Sequence, residues 1–260
     1  PLRKVISKLK LRASYGQVGN ANLGGRRFAY LSTITDDYET LNMYKWGLDS
    51  SYGLTGMAEG EFAVQDLTWE IVNKMNLGVE LGFLNGMIDL QLDYFDERRK
   101  DIFMPRESVP MTAGFMKQPW KNFGKVTNQG VEVSLNVNKQ FGKDLFVSLM
   151  GTFTYAHNEI TEKDEPSAVV GTNRAETGHP VGQLTGYIAE GLFTADDFED
   201  VSTGKLKEGI PTQSFVGKLR PGDIRYRDVN GDGKVDVFDK SPIGGTKDPE
   251  IVYGFGLNMK

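Results

Sequence analysis

The sequence predicts an all-β fold laid out as an antiparallel meander. Three observations carry that prediction: apolar and polar residues alternate with period two, the alternating runs are long, and short turns alternate with long connections. Near the start, Leu9, Leu11, Ala13 and Tyr15 alternate with Lys10, Arg12, Ser14 and Gly16. Leu77, Val79, Leu81 and Phe83 repeat the pattern against Asn76, Gly78, Glu80 and Gly82. Asn85-Gly86 follows, a dipeptide suited to the two positive-φ positions of a type I′ hairpin turn. The return strand sets Ile88, Leu90, Leu92 and Tyr94 against Asp89, Gln91 and Asp93. A second hairpin carries Val131, Val133, Leu135 and Val137 through a turn at Gln140–Asp144, then returns on Leu145, Val147, Leu149, Phe153 and Tyr155. In the last strand, Ile251, Tyr253, Phe255, Leu257 and Met259 face one way, and Val252, Gly254, Gly256 and Asn258 the other.

The runs Trp69–Phe83 and Met87–Phe103 each allow about 12 to 15 extended residues, where a usual strand has about 5 or 6. At about 3.3 Å per residue they reach some 40 Å, more than a tilted crossing of a bilayer core requires. The long connections cover residues 20–68, 104–125 and 159–248, the last with a strand-like piece at Leu184–Phe193. The short ones are Asn85-Gly86 and Phe141-Gly142-Lys143. Short turns at one end and long loops at the other is the asymmetry of a membrane barrel. Tyr15, Phe83, Tyr94, Phe95 and Tyr155 at strand ends are expected to form interfacial girdles. A soluble β-sandwich with the apolar stripe as its core accounts for the same alternation, so both architectures stand at this level.

Composition removes several chemistries. With no cysteine there are no disulfides, thiol nucleophiles or Cys-ligated zinc. The 30 Lys+Arg against 35 Asp+Glu leave a net charge of −5, which speaks against a cationic surface for nucleic acid. Mean hydropathy is −0.38, and no window approaches the roughly 18 apolar residues of a membrane helix. A β-barrel gives the same averages, because polar lumen residues dilute its apolar face. The two histidines, His157 and His179, have neither a neighbouring nucleophile nor a metal-ligand spacing. The acidic pairs Asp36-Asp37, Asp196-Asp197 and Glu199-Asp200 lie in polar loops. Phosphate-loop and nucleophile-elbow motifs are missing. No convergent catalytic site is readable, so neither an enzyme nor an organic cofactor is expected. Gly78, Gly82, Gly254 and Gly256 fall inside strands and suit sites of barrel curvature. Pro1-Leu2-Arg3-Lys4 does not begin a signal peptide, and Ile251–Lys260 runs as a strand without a closing turn, so both ends read as cuts in a longer chain.

The sharpest local motif runs from Asp228 to Asp239, within an acidic glycine-rich loop at 221–244. Asp228, Asn230, Asp232, the Lys234 carbonyl, Asp236 and Asp239 fall at positions 1, 3, 5, 7, 9 and 12 of a calcium loop, with Gly233 at the turn position. Asp239 replaces the usual bidentate Glu, so a structural Ca²⁺ of weak affinity is expected. The segments around Ile224-Arg225-Tyr226 and Pro242 do not read as flanking helices. An Asx-bonded turn without metal is the other reading of the same residues.

Taken in order, the motifs resemble the SusC/RagA-type TonB-dependent outer-membrane transporters. The resemblance is carried by Leu9-Lys10-Leu11-Arg12-Ala13-Ser14-Tyr15-Gly16, by Trp69-Glu70 with Asn76–Phe83, and by Leu90-Gln91-Leu92-Asp93-Tyr94-Phe95 with Lys100-Asp101-Ile102. Asn128-Gln129-Gly130-Val131-Glu132, Gly178-His179-Pro180-Val181-Gly182 and Glu190-Gly191-Leu192-Phe193 continue it. Pro221-Gly222-Asp223-Ile224-Arg225-Tyr226, Ile243-Gly244 and Tyr253-Gly254-Phe255 complete it over almost the whole chain.

The resemblance implies a segment of a large antiparallel transmembrane β-barrel, 22-stranded in the family, in the outer membrane of a Gram-negative bacterium. Residues 1–260 are then one internal slice of about eight to ten strands, with the plug, the TonB box and the C-terminal strand outside it. The implied function is TonB-dependent import of a glycan or peptide nutrient. A SusD-like surface lipoprotein acts as lid, and contact with TonB runs through the missing N-terminal region. Trp46, Tyr52, Phe115 and Trp120 are loop aromatics that could stack on substrate. A soluble carbohydrate-binding β-sandwich with a structural calcium is the alternative.

Overall fold

The computed structural model describes residues 5–35, 44–48, 52–54, 57–115 and 117–260. They fall into two compact units, Pro1–Pro166 with Glu250–Lys260, and Ser167–Pro249. The first is built on one antiparallel sheet of six strands in sequential order: β1 (Ile6–Asn20), β2 (Glu70–Phe83), β3 (Ile88–Pro105), β4 (Trp120–Phe141), β5 (Leu145–Glu162) and β6 (Ile251–Met259). The strands are longer and fewer than the sequence suggests. β4 has 22 residues, and β3 and β5 have 18 each, because ladder pairing continues into stretches that read as loop. Of the eight to ten strands expected, six form this wall; the other described strands are short and sit in two-stranded sheets. No second large sheet is present among the described residues, which removes the β-sandwich.

Register turns the period-two pattern into two continuous faces. Leu11, Val79, Leu92, Val133, Phe153 and Tyr253 stand side by side across all six strands. So do Ala13, Leu77, Tyr94, Val131, Tyr155 and Ile251. This face is apolar yet uncovered: Leu11 is 74% exposed and Phe255 87%. A face of this extent on a protein in water would aggregate, whereas hydrocarbon covers it at no cost. Tyr15, Tyr94 and Tyr155 end the apolar rows on the long-loop side, and Phe83 ends them near the turns. Phe95 does not join them. Adjacent strand residues face opposite ways, and its ring lies on the polar side over Gly130.

The first hairpin turn also departs from the two-residue form. Phe83 pairs with Ile88, which leaves a four-residue connection in which Leu84, Asn85 and Gly86 all have positive φ (52°, 59° and 85°). The Leu84 amide donates to the Val5 carbonyl, so the neighbouring strand sets where the ladder stops. The second turn is the three residues 142–144, with Gly142 at φ 65°.

The unit Ser167–Pro249 has its own small core. Phe193, Phe198 and Leu219 are buried, with Leu206, Ile210 and Val216 packed on them. The strand-like Leu184–Phe193 stretch divides into Gln183–Gly186, paired with Ser241–Thr246, and Ala189–Leu192, paired with Ile224–Tyr226. No helix among the described residues is long and apolar enough to cross a membrane.

Gly130 is the tightest glycine in the wall. A Cβ there would lie 2.1 Å from the Tyr155 carbonyl oxygen and 2.6 Å from the Phe95 ring. Gly130→Val is therefore expected to prevent stable barrel assembly, read as loss of the heat-modifiable band on a denaturing gel. Gly16→Ala, with nothing within 4 Å, should assemble normally.

Candidate functional site

The polar face of the sheet carries a charged ladder that no single segment of sequence displays. On this face the rows run Lys10, Glu80, Gln91, Ser134 and Arg12, Gly78, Asp93, Glu132. The Arg12 guanidinium reaches past β2 to Asp93 on β3 and donates to both carboxylate oxygens through Nη2, at 2.8 and 2.9 Å. Gly78 makes this reach possible, since a Cβ there would lie 2.4 Å from Asp93 Oδ1 and 3.1 Å from Arg12 Nε. Its role is close approach of charged groups; it adds a side-chain contact to the curvature expected of strand glycines.

Glu80 gathers the rest of the cations. Lys8 Nζ lies 2.7 Å from its Oε2 and Lys10 Nζ 3.2 Å from its Oε1. Arg12 Nε stands 3.2 Å from the same Oε1, outside hydrogen-bond geometry. Gln91 donates to Asp93 Oδ2 at 2.8 Å. Asp93 is buried, so these donors compensate a charge that water hardly reaches. Nearer the long loops, Lys74 pairs with Glu97 at 2.7 Å and Arg99 with Glu70 at 2.9 Å. The face suits hydrogen bonding to a polar partner, and it offers no nucleophile–base pair.

Past the wall, a polar clamp holds the connection between β3 and β4. The Asp164 carboxylate accepts from Arg106 Nε at 2.9 Å, the Ser108 amide at 3.2 Å and the Ser108 hydroxyl at 3.0 Å. Burial opposes its ionisation most strongly, but the Arg106 and Ser108 donors together hold its pKa below the usual carboxylate range.

The four loop aromatics lie on three segments: the paired Tyr44–Trp46 and Tyr52–Leu54, the residues before β4, and the start of β4. Tyr44–Trp46 pairs with Tyr52–Leu54 and sets Trp46 opposite Tyr52 along the backbone; their side chains lie outside the described residues. Phe115 packs edge-on against Phe62, with centroids 4.6 Å apart, and is 41% exposed. Trp120 begins β4. The Arg26 guanidinium covers one ring face at 4.3 Å, and Phe103 lies 5.1 Å away. Both packed rings are thus engaged with other side chains.

The acidic loop is closed by its own amides. Asp228 accepts from the Gly231 and Gly233 amides through different oxygens, at 2.7 and 2.8 Å. Asn230 accepts from Asp232, Asp232 from Lys234, and Asp236 from Phe238. Asp239 is fully buried; its Oδ1 takes the Val229 amide at 2.8 Å and its Oδ2 the Asp236 amide at 2.7 Å. Gly231 and Gly233 have φ of 75° and 84°, which only glycine adopts without strain. Among the described residues no three carboxylate or imidazole groups converge as a metal cluster. No coordination geometry follows from the loop as folded.

Sequence reasoning missed the Arg12–Asp93–Glu80 ladder. The signal was present as charges at alternate positions of three strands, but only the pairing register shows which of them meet.

A long-stranded antiparallel sheet, apolar outside and charged inside, defines a section of the wall of a membrane β-barrel. The chain belongs to the TonB dependent receptor-like β-barrel family, whose model matches residues 2–245. It is 29% identical to the TonB-dependent receptor SusC of Bacteroides thetaiotaomicron over 91% of this chain and 22% of SusC. It is 24% identical to TonB-dependent receptor P3 of Formosa agariphila, over 98% of this chain and 24% of that protein. The RagAB peptide transporter structure superposes with a TM-score of 0.65 at 23% identity, covering 99% of this chain and 25% of that one. The chain spans about a quarter of the length of these relatives.

Removing Arg12 leaves the buried Asp93 carboxylate without its cation, which costs about 3 kcal/mol, whereas removing Asp93 leaves a part-exposed Arg12 beside Glu80 and costs less. Arg12→Met and Asp93→Leu should each lower the temperature at which the barrel unfolds on a heat-modifiability gel. The double variant should recover most of the loss, and simple additivity would refute the coupling.

Proposed function

We propose that the chain is a wall section of an outer-membrane importer of a Gram-negative bacterium, driven through TonB and taking up a glycan or a peptide. The observation that carries this reading is the two-faced wall, since an apolar exterior and a charged interior suit a barrel whose lumen holds protein and polar cargo. The unit Ser167–Pro249 supplies surface on which a SusD-like lipoprotein closes. The chain performs no chemistry on its cargo. Among the loop aromatics, Trp46, Tyr52, Phe115 and Trp120 are proposed as stacking positions for that cargo. The name of the TonB-dependent receptor SusC supports dependence on TonB, and that of the RagAB peptide transporter supports the import reading.

The test uses the full-length protein with residues 167–249 replaced by a short Gly-Ser linker. Uptake of fluorescent oligosaccharides and oligopeptides by whole cells should fall at least tenfold while the barrel still assembles. It should fall equally in cells lacking TonB, and recovered cargo should have unchanged mass. Undiminished uptake in either strain overturns the proposal.

We further propose that the acidic loop takes up Ca²⁺ at millimolar concentration, with Asp228, Asn230, Asp232, the Lys234 carbonyl, Asp236 and Asp239 as ligands. The Asp228 and Asp232 carboxylate oxygens each accept one hydrogen bond and keep a second lone pair, which supports this reading; at Asp239 the ligand oxygen is Oδ2, because Oδ1 takes the Val229 and Asn230 amides. Calorimetric titration should show saturable heat that Asp228→Ala abolishes; identical heats from both proteins sink it.

A further inference from the structure

The unit Ser167–Pro249 holds a cavity of about 460 Å³ between two stretches of its chain, residues 203–210 and 212–219. The stretches touch at one end, where Gly204 has φ 79° and a Cβ would lie 2.7 Å from the Leu219 carbonyl oxygen. Each stretch also contains a tight turn. The Ile210 amide donates to the Lys207 carbonyl at 3.3 Å, and the Val216 amide to the Gln213 carbonyl at 3.4 Å. The volume lies within the range of about 300–1,000 Å³ typical of small-ligand sites.

The floor of the cavity is aliphatic. Leu206, Ile210 and Val216 pack against the core of Phe193, Phe198 and Leu219 yet remain only partly buried, and with Leu219 they line the cavity. Among the described residues the lining includes no aromatic ring, so it offers no flat face on which a sugar could stack. An aliphatic side chain entering from water would complete the burial of this floor.

The charged lining is mainly cationic: Lys205, Lys207 and Lys218 against one carboxylate, Glu208. Lys205 is paired at 2.7 Å with Glu199, which lies outside the lining. Lys218 Nζ donates to the Ser202 carbonyl, which fixes the ammonium and leaves it two further donors. Lys207 is exposed and forms no ion pair among the described residues. Two ammonium groups beside an aliphatic floor are complementary to a carboxylate carried next to an apolar side chain. The last residue of a peptide has that chemistry.

We propose that this cavity is a subsite for the C-terminal residue of an oligopeptide, with its apolar side chain on Leu206, Ile210 and Val216 and its carboxylate at Lys207 and Lys218. The subsite rests on the import reading, of which it takes the peptide branch. Peptides of unrelated sequence share a terminal carboxylate, so such a site accepts many of them and ranks them by their last side chain.

The purified full-length protein is titrated in detergent with fluorescein-labelled octapeptides of mixed sequence ending in leucine, made with a free terminal carboxylate or as the amide, and binding is read by fluorescence anisotropy. The free acids should bind about tenfold or more tighter than the amides, as expected for charge-assisted hydrogen bonds. Ending the peptides in glycine should weaken binding about fivefold. The double variant Lys207→Met, Lys218→Met keeps the aliphatic stems and should lose the preference for the acid. Both lysines are exposed, so the variant should give the same heat-modifiable band as the native protein. Equal binding of acids and amides overturns the subsite, as does a preference that persists in the double variant. Failure to bind the peptides, with or without binding of cellohexaose, overturns it as well. None of these outcomes decides the import reading, which uptake by the protein lacking residues 167–249 tests separately.

Discussion

In hydrocarbon no water is available to a backbone amide or carbonyl, and that constraint governs everything else in this wall. Each strand must pair along its whole crossing, so pairing continues through 14 to 22 residues in β2 to β5 and stops only where the chain leaves the sheet. The ladder fixes the register, and the register fixes which side chains share a row. One residue of slip would turn every leucine of a strand into the lumen and every charge into lipid.

The same ladder explains why the charged interior costs so little. Arg12, Glu80 and Asp93 come from three strands, and each cation has a carboxylate within a few ångströms because the rows bring alternate positions together. Buried ion pairs are poor sources of stability, but leaving one half alone is expensive. This ladder therefore acts chiefly as a register lock, with Gly78 as the gap through which the two outer strands touch. Gly130 and Phe95 make the apolar counterpart on the same face: an aromatic ring covers the backbone of a strand glycine and shields its ladder bonds.

The unit Ser167–Pro249 obeys a different logic. Its backbone groups bond to side chains within their own loops, and a small core around Phe193, Phe198 and Leu219 suffices when loops close on themselves. The acidic loop is the clearest case, with Asp228 and Asp239 each holding two strands of the loop through backbone amides. The β3–β4 connection uses the same device at Asp164, one buried carboxylate serving three donors.

By itself the sequence determined the all-β class, the two faces, both hairpins, the long connections and the loop at Asp228–Asp239, because each is written in spacing of two or in local Asp, Asn and Gly chemistry. It also contained the orientation of Phe95: next to an outward Tyr94 it must face inward, and grouping it with the girdle overrode that parity. Only the tertiary structure decided what depends on register between distant strands. Arg12 meets Asp93 across 81 positions of chain, and the Leu84 amide of the first turn is taken by the carbonyl of Val5, just before β1. Such contacts have no local signature, since hydrogen bonds between strands are made by backbone groups that every residue carries alike.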